Sequence, residues 1–156
     1  MTLAAPPVLD VAIIGAGPHG LTLATHLLKK KPQWRSRLAI FDPQGQWLTQ
    51  WRHQFRALDI PYLRSPAVHH PDPDPYALRR FATGRSHELH PPYDRPGREL
   101  FNQFCEDVVA RWQLEAAITP AAITALEPVG KSRTPRLRLH DDQGGSVVAR
   151  QVVLAL

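Results

Sequence analysis

The chain has one cysteine, Cys105, in 156 residues. That excludes a disulfide framework, a Cys-x-x-Cys redox pair and a four-cysteine zinc site. No apolar run reaches the ~18 residues that a membrane-crossing helix needs. Residues Met1 to Asp10 contain no basic stretch followed by an apolar core, so no secretory leader is expected and the chain is read as cytoplasmic. Glycine is scarce, 9 residues without a period, which excludes a collagen-like repeat. The net charge is +5, yet the densest basic run is only Lys29-Lys30-Lys31. Scattered charge of this kind fits a solvated helix end, so neither nucleic acid nor a membrane surface is expected as a partner. No glycine-flanked serine accompanies a His and Asp in a hydrolase arrangement.

What is abundant is proline, 16 residues, about twice the usual ~5%. With 43% hydrophobic and 21% charged residues the chain reads as globular. Its length suits one domain with a real core. Asp10 to Ile14 is a short apolar run rich in β-branched residues and ended by Gly15, the look of a buried parallel strand. From Gly20 to Lys30 the period changes. Leu21, Ala24, Leu27 and Leu28 fall on one helical face, and Pro32 stops the helix. Leu38 to Phe41 is a second strand, so the first 42 residues read strand, helix, strand.

Regularity then lapses from Pro43 to Gly97, where nine of the sixteen prolines lie. Aromatics spread through this stretch, from Trp47 to Tyr93, argue for an ordered excursion with a short helix near Tyr76 to Ala82. From Arg98 apolar residues recur at three-to-four spacing and predict a helix of ~15 residues. Brief strands are expected at Ile118-Thr119, Ile123 to Leu126, Arg136 to His140 and Ser146 to Ala149, with a turn over Asp141 to Gly145. Gln151 to Leu156 reads as a further, buried strand. The fold class is α/β: a Rossmann-type parallel sheet, a small β meander and a long Pro-rich excursion.

Gly15-Ala16-Gly17-Pro18-His19-Gly20 is a G-x-G-x-x-G sequence that follows a strand and opens a helix, with Asp42 at the end of the next strand. That context marks a dinucleotide site. Gly15 permits the tight turn, Gly17 lets a pyrophosphate approach the backbone, and Gly20 lets the helix pack closely on the sheet. The helix N-terminus supplies free N–H groups, and Asp42 can accept ribose hydroxyls. The same unit serves NAD and FAD. A simple NAD domain would continue with alternating helices and strands, and this chain does not.

The order of Gly15 to Gly20, Phe41-Asp42, Gly45-Gln46-Trp47 and Val152 to Leu156 resembles the FAD-binding half of two-dinucleotide-domain flavoproteins. The flavin-containing monooxygenases and lysine/ornithine N-hydroxylases are the relatives it is most similar to. Gly45-x-Trp47 is similar to the Gly-Gly-x-Trp element of the former. Asp59 to Ser65, Asp72-Pro73 and Tyr76 to Phe81 resemble the segment that precedes the central helix of the latter. The resemblance covers nearly the whole chain. It implies FAD as cofactor, with Gly15, Gly17, Pro18, His19, Gly20, Asp42, Gln44, Trp47, Ile123 and Ala155 as cofactor-binding residues. Trp47 and Trp51, four residues apart, would pack on the flavin or on each other, with Trp47 favoured for the flavin side, and main-chain groups at Ala122-Ile123 would hold the adenine.

The resemblance further implies an NADPH-dependent, N-hydroxylating monooxygenase acting on a small amine or amino acid. These families carry a second glycine motif for NADPH, and Ala155-Leu156 stands where they have Ala-Thr-Gly. The 156 residues contain no second motif. They are therefore expected to form one FAD-binding domain, the amino-terminal part of a larger flavoprotein, with 43–97 as an irregular insertion. A flavoprotein reductase without a redox disulfide, or a non-catalytic FAD- or NAD-binding module, remains open. No catalytic acid or base is identified. His69, His70, Asp72 and Asp74 do not suggest a metal site, because adjacent residues on extended chain point apart. Cys105 reads as core. Arg52, Arg56, Arg64, Arg79 and Arg80 read individually as solvated charges that could also recognise a carboxylate or phosphate.

Overall fold

The computed structural model describes residues 8–130 and 134–156. Strand β1 (Leu9–Ile14), helix α1 (Pro18–Lys30) and strand β2 (Leu38–Phe41) form the expected βαβ unit, with a 3-10 turn at Pro32–Arg37 between α1 and β2. The Pro-rich stretch contains α2 (Thr49–Ala57), α3 (Ala77–Phe81) and a minimal hairpin of β3 (Leu89–His90) and β4 (Arg95–Pro96). Helix α4 (Arg98–Arg111) follows, then β5 (Ile118–Thr119), β6 (Ile123–Val129), β7 (Arg136–Asp141) and β8 (Ser146–Leu154). The main sheet has the order β5-β2-β1-β8-β7-β6. β5, β2, β1 and β8 run parallel, and β8, β7 and β6 are antiparallel neighbours.

The two faces of the sheet bury different residues because strand side chains alternate. Val11, Ile13, Leu38 and Ile40 pack with Leu21, Ala24 and Leu28 of α1 and Leu100, Phe104 and Val108 of α4. Ala12, Phe41, Ala121, Leu139 and Ala149 form a second cluster on the meander side. No helix among the described residues is long and apolar enough to cross a membrane.

Four expectations are corrected. The excursion over 43–97 is more helical than its prolines suggest, because α2 carries Thr49, Gln50, Arg52, His53, Gln54 and Arg56 and shows no apolar period. Ser146 to Ala149 and the last apolar run are one strand. Its first part pairs with β7 as far as Ala149, and from Ala149 onward it pairs with β1. That last part is not buried: Leu154 is 60% exposed and Gln151 is exposed, and Ala149 is the only fully buried residue of β8. Strand β6 also runs on past Leu126 to Val129 through Pro128, tolerated because β6 is an edge strand.

Candidate dinucleotide site

The C-terminal ends of β1, β2 and β8 lead directly into Gly15, Asp42 and Ala155, and these residues line one cleft of about 1210 Å³. That is the crevice where parallel α/β sheets take their ligands. The three glycines of the turn act differently. Gly15 has φ +111°, and a Cβ on it would lie 2.4 Å from the Ala155 carbonyl oxygen. A Cβ on Gly20 would lie 2.2 Å from the Gly15 carbonyl oxygen, so Gly20 supports the loop from beneath. A Cβ on Gly17 would meet no protein atom within 4 Å, and Gly17 lines the cleft. Gly17 thus leaves the main chain open to the cleft at this point.

Gly17 is also the N-cap of α1. No side chain caps this end, Pro18 occupies the first turn, and that turn has no acidic residue. The N–H groups of its first turn thus lack intrahelical partners. With Gly17, Pro18 and His19 on the cleft surface, this end presents free donors and positive dipole to an anion. The residues present therefore fit a dinucleotide pyrophosphate.

Asp42 is half-buried and already engaged. Its Oδ2 accepts the Ala16 N–H at 3.0 Å and its Oδ1 accepts the Gln44 N–H at 2.9 Å. The carboxylate ties the end of β2 to the glycine turn, and each oxygen retains a lone pair for a ribose hydroxyl. His19 and Gln44 are exposed on the cleft surface, and Ala155 closes it beside Gly15.

Two expected site residues lie elsewhere. Trp47 does not line the cleft. Its indole is buried and donates from Nε1 to the Leu114 carbonyl at 2.9 Å, so hydrogen bonding turns it toward the segment after α4. Ile123 also lies off the cleft, paired with Asp141. The neighbouring Ala122 donates its N–H to Asp142 Oδ1 and accepts the Asp142 N–H, so its main-chain groups are taken.

The far wall holds Trp51, considered for the flavin side from the sequence, together with Gln50, Gln54 and Phe55, which were not. Helix α2 turns Gln50, Trp51, Gln54 and Phe55 toward the cleft. Their i, i+1, i+4, i+5 spacing was a signal once a helix was allowed there. Of the five arginines considered, Arg64 alone lines the cleft, and it forms no ion pair among the described residues. Arg52 pairs with Glu106, Arg79 with Asp94 and Arg80 with Asp74.

The segment His69 to Pro75 completes the wall and is pinned from behind. Thr25 Oγ1 donates to the Pro71 carbonyl. The buried Asp72 carboxylate receives Arg111 at 2.8 Å, Trp112 Nε1 at 3.3 Å and the Asp74 N–H at 2.8 Å. Burial pushes the Asp72 carboxyl up, but these hydrogen bonds outweigh it and hold it below the usual carboxylate range. His70 is fixed at both nitrogens, Nδ1 accepting the Asp72 N–H and Nε2 donating to the Pro75 carbonyl. Burial pulls its imidazole below the ordinary value, against the opposing pull of Pro75, Asp72 and Asp74. These residues thus hold backbone, and no group of three or more His, Cys, Asp or Glu among the described residues is placed to hold a metal. Cys105 is fully buried and its thiol is pushed well up by that burial.

A family model described as FAD-NAD(P)-binding matches residues 12–156. No curated protein matches. The ornithine N-hydroxylase of Kutzneria sp. 744 superposes with TM-score 0.69 at 19% identity, covering 95% of this chain and 37% of that one. A flavin-containing monooxygenase from Stenotrophomonas maltophilia gives 0.56 at 20%, covering 95% and 38%. An oxidized steroid monooxygenase bound to NADP gives 0.61 at 19%, covering 96% and 26%. These likenesses are of fold, and the chain spans less than two-fifths of each protein. With strand order, glycine turn and family match in agreement, the chain belongs to the FAD-NAD(P)-binding family.

Proposed function

We propose that these residues are the FAD-binding part of a flavin-dependent monooxygenase that draws electrons from NADPH and hydroxylates nitrogen in a small amine or amino acid. The observation that carries the nucleotide reading is Gly17, whose missing side chain opens onto the cleft at the uncapped start of α1. Flavin would supply the electron and oxygen chemistry. The chain's own residues bind and shield. Main-chain donors at Gly17 and His19 hold phosphate, and Asp42 accepts ribose hydroxyls. The Asp42 charge opposes a 2′-phosphate, so NADPH would be held outside this site, in a part beyond these 156 residues. Among the described residues Arg64 is the only Lys or Arg on the cleft surface, and it suits a substrate carboxylate. The match to N-hydroxylase and monooxygenase folds, each much longer than this chain, supports the reading.

The test is reconstitution of the natural full-length protein with FAD, followed by stopped-flow measurement of NADPH oxidation with and without amines such as ornithine. Bound FAD, NADPH-dependent flavin reduction and a hydroxylamine product are expected. The isolated 156 residues should oxidise NADPH hardly at all. A colourless protein that takes NAD but not FAD would refute the cofactor. Rapid, saturable NADPH oxidation by the isolated chain would refute the division of labour and move the donor site into residues 43–97.

A further inference from the structure

Helix α2 is the element that the fold's outline does not explain. It is largely polar, buries none of its residues fully, and holds an aromatic pair on its cleft face. The Trp51 and Phe55 rings stack with centroids 4.1 Å apart at 27°, and Trp51 also tilts against Phe101 at 5.3 Å. Both rings are only half-buried. Flanking them, Gln50 and Gln54 are exposed and their side-chain amides have no partner among the described residues. An indole backed by two phenyl rings and edged by free amides is a platform for a flat ligand with one apolar and one polar end.

The position of this platform is set by the phosphate turn itself. The Leu48 N–H donates to the Ala16 carbonyl at 2.8 Å, and Leu48, the N-cap of α2, has φ 65°. The left-handed residue redirects the chain at the point where it is tied to the glycine turn. The Arg52 guanidinium, donating to the Trp47 carbonyl at 2.8 Å, braces the same corner. The start of α2 is therefore in register with the atoms proposed to hold pyrophosphate.

Resting on the FAD reading above, we propose that the cleft face of α2 seats the flavin ring system, with Trp51 as its stacking partner and Gln50 and Gln54 facing the polar pyrimidine edge. That edge alternates carbonyl oxygens with an N–H, and a glutamine amide offers both an acceptor and donors. Asp42, bound to the Ala16 N–H, would take the adenosine ribose at the other end of the dinucleotide.

An indole in contact with flavin quenches its fluorescence by electron transfer, which gives a readout independent of turnover. The full-length protein is loaded with FAD. Emission of the bound flavin and FAD affinity by equilibrium dialysis are then measured for the wild type, Trp51→Phe, Trp51→Leu and Trp47→Phe. The wild-type flavin should be darker than free FAD. Trp51→Leu should raise its emission severalfold and weaken FAD by up to about tenfold, the worth of one aromatic stack. Trp51→Phe keeps a ring in place and should restore emission with a smaller loss of affinity. Trp47→Phe should change neither. Unchanged emission in both Trp51 variants overturns the proposal, and weaker binding without brighter flavin overturns it too, by putting the adenine on Trp51. Recovery with Trp47→Phe alone would move the ring to Trp47. Wild-type protein that fails to take up FAD sinks the functional reading as well, whereas FAD uptake with unaltered emission sinks only the seat on α2.

Discussion

One added methyl group, placed at either of two glycines in the same turn, should separate ligand binding from stability. At Gly20 the new Cβ lies 2.2 Å from the Gly15 carbonyl oxygen and 3.3 Å from its carbon. Both are main-chain atoms, so no rotamer change relieves the contact, and α1 must shift from the sheet. Overpacking of this kind costs about 3 kcal/mol, and the helix propensity gained over glycine returns about 1. The net loss of about 2 kcal/mol corresponds to about 4–8 °C in Tm for a chain of this size. At Gly17 the backbone has φ −80° and ψ −173°, which alanine adopts freely, and nothing lies within 4 Å. The lost N-cap preference and the reduced freedom of the unfolded chain oppose each other, so stability should change by less than about 1 kcal/mol. The methyl instead occupies the space a phosphate needs. Losing one or more hydrogen bonds to a charged group, at about 1.5–3 kcal/mol, weakens FAD about ten- to hundredfold. Thermal melts without ligand and FAD titrations of Gly17→Ala and Gly20→Ala decide the matter. A destabilised Gly17→Ala with intact affinity, beside a Gly20→Ala that melts like wild type, would refute both assignments.

Asp42→Ala removes the acceptor of the Ala16 and Gln44 N–H groups and should cost about 1–3 kcal/mol as well as FAD affinity, with Asp42→Asn intermediate in a urea titration. Trp47→Phe leaves the Leu114 carbonyl without its indole donor and should lower stability by about 1–2 kcal/mol while FAD affinity stays within error. For His70 the folded value lies below the ordinary 6.5, so its neutral form is the one the fold accommodates. Its contribution to stability is full above pH 6.5 and is lost as the pH falls from there through the folded value. Urea midpoints should therefore drop faster with acidification in wild type than in His70→Gln, and parallel pH profiles would refute this.

The strand–helix–strand start and the glycine turn were legible because each rests on local spacing: a β-branched run, a three-to-four apolar period, and glycines placed where a Cβ cannot go. The roles inferred for Gly15 and Gly20 reappear as Cβ clashes with main-chain oxygens. Helix α4 was legible for the same reason, since its apolar period spans the whole element. Helix α2 was not, because only Trp51 and Phe55 join the core, and only in part, while its cleft face mixes glutamine with aromatics. The two tryptophans show the consequence. Trp47 and Trp51 lie four residues apart on either side of a left-handed Leu48. That single backbone reversal buries the first against Leu114 and turns the second into the cleft.

The sequence by itself determined the parallel βαβ unit, the dinucleotide turn and the meander that follows, since each follows from interactions between residues near in the chain. Only the tertiary structure decided which aromatic and which arginine reach the cleft, that Asp42 holds the glycine turn as well as lining the cleft, and that Asp72 and His70 pin a proline-rich wall. Those outcomes depend on partners far apart in the chain, such as Asp72 with Arg111 and Trp47 with Leu114, and only folding brings such groups within hydrogen-bonding distance.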